Sequence, residues 1–145
     1  MRIVVVAVGR VKERPLRAVL DDYFGRIRRV TPCDEIELAD GPAAKLEVAF
    51  AKATAEATTI ALEVAGRALP SEGFARELGR ATARHKGIVA FLIGGADGLP
   101  PAVSQAAHER WSLSTLTFPH RLARLVVVEQ IYRALTILRG EPYGH

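Results

Sequence analysis

Gly94, Gly95 and Gly98 follow directly on the apolar run Ile88–Ile93, at the point where a strand should turn. Without Cβ atoms they permit positive φ and let main-chain N–H and C=O groups approach a ligand closely, a flat adenine or a ribose for example. A βα turn that simply requires glycine explains them as well. They are not a Walker loop, because the Lys-Ser/Thr pair is missing, nor a dinucleotide fingerprint, because the G-x-G-x-x-G spacing is absent. A second cluster is Ser114, Thr115 and Thr117, whose hydroxyls and free main-chain groups stand beside Pro119. Proline stiffens that loop before a helix whose N-terminus favours an electron-rich ligand. The competing reading is a serine- and threonine-rich helix start with His120 in the first turn. Cys33 is the one cysteine, beside Pro32, so an internal disulfide and a multi-cysteine zinc site are excluded. It reads as an incidental thiol in a loop, and no metal is expected.

The elements that must position these residues follow from periodicity. Ile3–Val8 is a β-branched run closed by Gly9, which suits a buried strand. Pro15 fits a first turn, and Leu16, Val19, Leu20, Tyr23, Phe24 and Ile27 recur at three- and four-residue steps as an amphipathic helix. Thr31–Pro32 breaks it, and Glu35–Leu38 alternates as a half-exposed strand does. After the turn at Gly41–Pro42, the alanine-rich stretch Ala43–Ala57 predicts a second helix, with Leu46, Phe50 and Ala53 on one face. Thr59–Val64 is a further strand. Ser71 is suited to cap a helix that carries Phe74 and Leu78 and ends near His85. Pro100 or Pro101 opens a helix through Val103 and Ala107. Ser112, Ser114 and Thr115 interleave with Leu113 and Leu116 as a last strand, and a long helix runs from about His120 to Leu138. Alternating strands and helices imply an α/β fold, a mostly parallel sheet flanked by helices on both faces. Ligands of such sheets occupy the crevice beyond the carboxyl ends of the strands, where Ala65–Leu69, Gly94–Leu99 and Thr117–Pro119 would lie together.

Bulk properties narrow the classes. The 145 residues fit one domain, 1–145. Hydrophobic residues at 49% and charged residues at 25% argue against a disordered chain or a membrane protein. The apolar start is too short for a signal segment or a span, so a cytoplasmic location is expected. Net charge is +4, unevenly placed: residues 1–33 carry eight Lys/Arg against three acids, whereas residues 34–63 carry seven acids against two lysines. Such a basic patch, which includes Arg26, Arg28 and Arg29, attracts phosphate backbones, although a solvated face explains a charge cluster equally simply.

Three segments then carry a resemblance: FLIGGADGL (Phe91–Leu99), WSLSTLTFPHRLARLVVVEQIYRA (Trp111–Ala134) and GEPYGH (Gly140–His145). Together they resemble the SPOUT-class methyltransferases that act on N3 of a pseudouridine in 23S rRNA. MRIVVVAVGRVKE and ALEVAG are also similar at matching positions, so the likeness runs end to end. It implies S-adenosyl-L-methionine as cofactor, bound in a bent conformation by Leu62, Gly95, Ser114, Thr115, Leu116, Thr117, Phe118 and Pro119. It further implies a deep C-terminal trefoil knot, which general topology rules disfavour. A homodimer is implied too, in which the last helix and tail complete the partner's site. Apolar residues on more than one face of that helix agree with this: Leu122, Leu125, Val126, Val128, Ile131, Leu135 and Leu138. An interior helix is the alternative.

Methylation at N3 requires loss of its proton as the new bond forms. A base near neutrality, or a cation that stabilises charge spread onto the uracil carbonyls, would assist. The candidates are His120, Arg133, Tyr143 and His145. Arg133 stands four residues after Glu129, so a plain helix ion pair competes with a catalytic role. The family tail reads P-Y-H and then a basic residue, whereas this chain reads Pro142–Tyr143–Gly144–His145. Either His145 reaches the histidine's place or the tail is impaired, which leaves a cofactor-binding, RNA-binding SPOUT-like protein as the rival. The expected partner is the assembled ribosome, recognised by shape, with free RNA a poor substrate. A further rival, a nucleotide-binding regulatory module, rests on the glycine turn alone.

Overall fold

β-Branched and small apolar residues build the centre of the sheet. On β1 (Arg2–Val8), Ile3, Val5 and Ala7 point to one face and Val4, Val6 and Val8 to the other, all buried, as a strand covered on both sides requires. The structure, a computed structural model, describes residues 1–143. The remaining elements are α1 (Arg14–Arg28), β2 (Cys33–Leu38), α2 (Ala43–Ala53), β3 (Thr58–Ala68), α3 (Ser71–Thr82), β4 (Ile88–Ile93), α4 (Pro101–Ala106), β5 (Glu109–Ser112) and α5 (His120–Leu138). The five strands are ordered β2-β1-β4-β3-β5 and every pairing is parallel. The α/β reading is therefore observed.

Helices α1, α3 and α5 cover one face, where Leu20, Phe24, Leu78, Ile131 and Leu135 pack on the odd-numbered side chains of β1 and β4. Helices α2 and α4 cover the other through Leu46, Phe50 and Val103. Trp111 of β5 is 1% exposed and meets Phe74 and Phe91 edge-on, with ring centroids 5.0 and 5.9 Å away. Each such aromatic pair contributes about 0.5–1.5 kcal/mol beyond its buried area. This cluster joins the edge strand β5 to α3 and to the sheet centre.

Several boundaries differ from the sequence reading. The last strand is Glu109–Ser112, and Ser114–Leu116 belongs to the loop after it, because only the part up to Ser112 finds partners on β3. Cys33 opens β2 and is buried, so it is not a loop thiol. Ser71 is the first helical residue, preceded by Pro70, and its hydroxyl donates to Gln130 Oε1 on α5 at 2.8 Å instead of capping. Helix α3 stops at Thr82 and α2 at Ala53, each short of the apolar pattern's end, while β3 continues to Ala68.

Candidate functional site

Strand β3 does not run straight. Leu62 and Arg67 both pair with Trp111, so residues 63–66 are looped out of the ladder. Gly66 makes this possible, since a Cβ there would come within 2.8 Å of the Trp111 carbonyl carbon. Just beyond the loop-out, Arg67 donates to Glu77 on α3 at 2.9 Å. That hydrogen bond outweighs burial and holds the Glu77 carboxyl below its ordinary range.

The loop-out, the glycine turn and the segment after β5 meet at the carboxyl edge of the sheet. They enclose a cleft of about 600 Å³, within the range of small-molecule and cofactor sites. At the glycine turn Gly98 donates its N–H to the Gly95 carbonyl at 3.0 Å and has φ +77°. A Cβ on Gly94 would fall inside the Gly98–Leu99 peptide, so no other residue fits this hairpin. Across the cleft, Ser112 Oγ donates to the Ser114 carbonyl and Ser114 Oγ accepts from the Leu116 N–H, both at 2.9 Å. These hydroxyls shape the loop from within. The main chain of Thr115, Thr117 and Phe118 makes no hydrogen bond to other described residues, so it is available to a ligand. Helix α5 then starts behind Pro119 with no side-chain cap and no acid in its first turn, which leaves its positive end open to the cleft.

Of the eight residues expected around a cofactor, seven line this cleft: Leu62, Gly95, Ser114, Leu116, Thr117, Phe118 and Pro119. Thr115 is exposed and lies outside it. His120 lines it as well, together with Glu63 and Val64 of the loop-out, which sequence reasoning missed. A more open depression of about 650 Å³, lined by Arg67, His108 and Arg110 among others, shares Glu63 and Leu99 with the cleft.

The other catalytic candidates are elsewhere. Arg133 is thirteen residues along α5 from His120, a distance of about 20 Å at the helical rise. It donates from Nε to Glu129 at 3.1 Å, the helix ion pair anticipated above, and its guanidinium lies 4.1 Å from the Tyr143 ring centre. Tyr143 also packs on Tyr132, at 5.4 Å, and Tyr132 on Tyr23 of α1, at 6.3 Å. Burial, then hydrogen bonding by Glu129 and Tyr23, pushes the Tyr143 phenol well above its ordinary pKa. His145 lies outside the described residues.

A family model described as "Predicted SPOUT methyltransferase" matches residues 1–145 of the chain. The chain belongs to the SPOUT methyltransferase family. It is 66% identical over 145 residues to a Sorangium cellulosum protein called ribosomal RNA large subunit methyltransferase H, with both chains covered in full. A Streptococcus thermophilus protein of the same name is 40% identical, with 99% of each chain covered. Among solved structures, a probable methylase family protein from Haemophilus influenzae has a TM-score of 0.58 at 12% identity, covering 99% of this chain and 70% of that one. A probable methyltransferase from Bordetella pertussis has a TM-score of 0.59, also at 12% identity, with coverage of 92% and 96%. At such identities the structures support the fold alone.

Beneath the SPOUT cleft lies an ionic cluster that the sequence reading did not single out. Arg124, one turn into α5 and 1% exposed, donates to Glu35 at 2.9 Å, to Glu37, and to the Gly9 carbonyl at 3.1 Å. Arg17 of α1 reaches Glu35 at 2.5 Å. Burial disfavours the Glu37 carboxylate, but Arg124, the Val11 N–H and Arg17 outweigh it and hold the carboxyl below its ordinary range. The available signal is the alternation of carboxylates at Glu35 and Glu37, which in the sequence alone marks only the polar side of a half-exposed strand.

Proposed function

We propose that this chain methylates N3 of a pseudouridine in 23S rRNA, with S-adenosyl-L-methionine bound in the cleft. It acts in the cytoplasm as a homodimer on assembled ribosomes, and residues 1–145 are one SPOUT domain whose C-terminal part is knotted. The observation that carries this reading is the meeting of the loop-out, the glycine turn and the Ser114–Pro119 loop around one cleft of cofactor size. The names borne by the relatives support the rRNA substrate, and the end-to-end sequence resemblance supports the pseudouridine. No helix is long and apolar enough to cross a membrane among the described residues, which agrees with a cytoplasmic site of action.

The cleft suits the cofactor. Apolar walls from Leu62, Leu116 and Phe118 would hold a flat adenine, and the unbonded main chain of Thr117 and Phe118 would read its polar edge. Once bound, the cofactor supplies a methyl group made electrophilic by its sulfonium. The remaining tasks belong to the chain. His120, at the open end of α5, is the imidazole lining the cleft and accepts the N3 proton. Arg133, held rigid by Glu129, stabilises negative charge spreading onto the uracil carbonyls. Tyr143, whose phenol keeps its proton, donates a hydrogen bond and is not a base.

Within one chain His120 and Arg133 stand about 20 Å apart along α5. They serve one uracil only if Arg133 and the tail come from a second copy, and exposed apolar residues along the molecule, Leu122 at 40% and Leu138 at 43%, offer it a surface. A binding-only role is favoured by one observation, Gly144 standing where the family tail has histidine.

The test is transfer of tritiated methyl to 70S particles that lack the modification, beside calorimetry with S-adenosylhomocysteine. Wild type should bind the product and methylate the particles, and Arg133→Ala should bind it equally while losing about 10²–10³ in rate, the usual effect of deleting one charge-stabilising group. Binding without transfer by wild type would favour the second reading. If neither occurred, the proposal would be abandoned.

A further inference from the structure

The loop between β1 and α1, together with the first residue of α1, presents three cations that the proposed chemistry does not use. Arg10, Lys12 and Arg14 are exposed, and none is paired with a carboxylate among the described residues. Between and beside them, every second residue is fastened to the body of the molecule. Gly9 donates its N–H to the Leu38 carbonyl at 2.7 Å and accepts from buried Arg124 at 3.1 Å. Val11 is buried and donates its N–H to Glu37 at 3.1 Å. Glu13 pairs with Arg121 on α5 at 3.2 Å. The anchored residues are 9, 11 and 13, and the free cations are 10, 12 and 14.

The anchors also fix where the loop lies. Val8, just before it, is the side chain that a Cβ on Gly95 would meet at 3.1 Å, so the loop starts against the glycine turn. It ends against Arg121, next to His120, which lines the cleft. The loop is thus held beside the cleft, between the glycine turn and the start of α5, and its backbone is already in place, so little main-chain entropy remains to be lost when the exposed cations meet a ligand. From Arg10 to Arg14 the chain spans at most about 14 Å, a length suited to a run of a few phosphates and not to a single anion.

We infer that Arg10, Lys12 and Arg14 form a preformed clamp on the phosphate backbone of the substrate RNA flanking the reacting base. The inference rests on the proposed reading that RNA is the substrate. Buried Arg124 and Glu37 act through this loop as positioning residues.

The test compares wild type with Arg10→Ala/Lys12→Ala/Arg14→Ala and with the control Lys45→Ala/Lys52→Ala/Arg76→Ala. The control removes three other exposed cations that carry no ion pair among the described residues. Binding to 70S particles is followed over a range of salt concentrations, alongside S-adenosylhomocysteine affinity and methyl transfer. The loop variant should bind particles at least about tenfold more weakly at low salt and show a log–log salt slope shallower by about 2–3, one per lost phosphate contact. Its product affinity should stay that of wild type, and its transfer defect should appear in KM, with kcat little changed. Arg10→Lys/Arg14→Lys should restore the slope. An unchanged slope, an equal loss in the control, or a loss of product affinity would each overturn the clamp. If wild type binds particles but transfers no methyl group, the proposed function fails while the slopes still decide the clamp. If wild type does not bind particles at all, both fail.

Discussion

Arg124 holds two carboxylates and a main-chain carbonyl from inside the protein, so its removal has a definite consequence. In Arg124→Met, Glu35 and Glu37 keep Arg17, at the outer side of the cluster, as their one paired cation. Breaking a buried pair by deleting one partner costs about 3–5 kcal/mol. For a chain of this size that is a fall in Tm of roughly 6–20 °C, readable by thermal unfolding. The same cluster sets a pH dependence. The Glu37 carboxyl is depressed in the folded state, so the unfolded chain takes up its proton first as the pH falls. Its contribution is therefore full above the ordinary carboxylate range and is lost as the pH drops through the lower folded value. Urea melts from about pH 7 to about pH 3 should show that acid loss in wild type and a flatter profile in Arg124→Met. Equal profiles would remove Glu37 from the account. Cys33 gives a separate check. Burial pushes its thiol up to about 12, so iodoacetamide should fail to label native protein near neutral pH and should label it at the rate of unfolding.

At the scale of elements, β5 is a four-residue edge strand, laddered to β3 and tied to the core by one large side chain. Trp111 is the only tryptophan, which makes it a reporter as well as an anchor. Native emission should be that of a buried indole and shift to the red on unfolding. Trp111→Ala should cost about 3–5 kcal/mol, the usual range for emptying an aromatic core site. It should also weaken S-adenosylhomocysteine binding, because the Ser114–Pro119 loop hangs from this strand; normal affinity in the variant would show that the loop stands independently. The same strand shows what the sequence could disclose. Strands β1 and β4 were legible because continuous β-branched or apolar runs bounded by glycine admit few other readings. Strand β5 was misplaced because Ser112–Leu116 alternates as a strand would, while the actual constraint is ladder length against β3 and the aromatic contacts of Trp111. The loop-out of residues 63–66 left no local trace either. It exists because Gly66 admits the Trp111 main chain at close range, a contact between residues far apart in sequence. Seven residues of the cleft were named as cofactor contacts through family resemblance, since hydroxyl spacing alone did not distinguish a ligand loop from a helix start.

The whole molecule raises the question of how a cleft at one end of α5 works with Arg133 and Tyr143 at the other. If a second copy supplies those groups, each site is built from two chains, and damage in different parts should complement. Gly95→Val places branched carbons against Val8 at the cleft floor, where even a Cβ would sit 3.1 Å away, and should abolish cofactor binding. Arg133→Ala keeps the cleft and loses the distal cation. Each homodimer should be nearly inactive. Mixed in equal amounts and allowed to exchange subunits, half of the dimers carry one chain of each kind, and each of these has one intact site, so activity should recover to about a quarter of wild type. Sedimentation of wild type should give a dimer. Leu138→Glu, which sets a charge on an exposed apolar position near the end of α5, should shift it towards monomer and reduce transfer in parallel. Sites confined to single chains would yield no recovery on mixing, however long exchange is allowed. Recovery to a quarter, and its absence when exchange is blocked by cross-linking each homodimer beforehand, would fix the arrangement as one site shared between two copies.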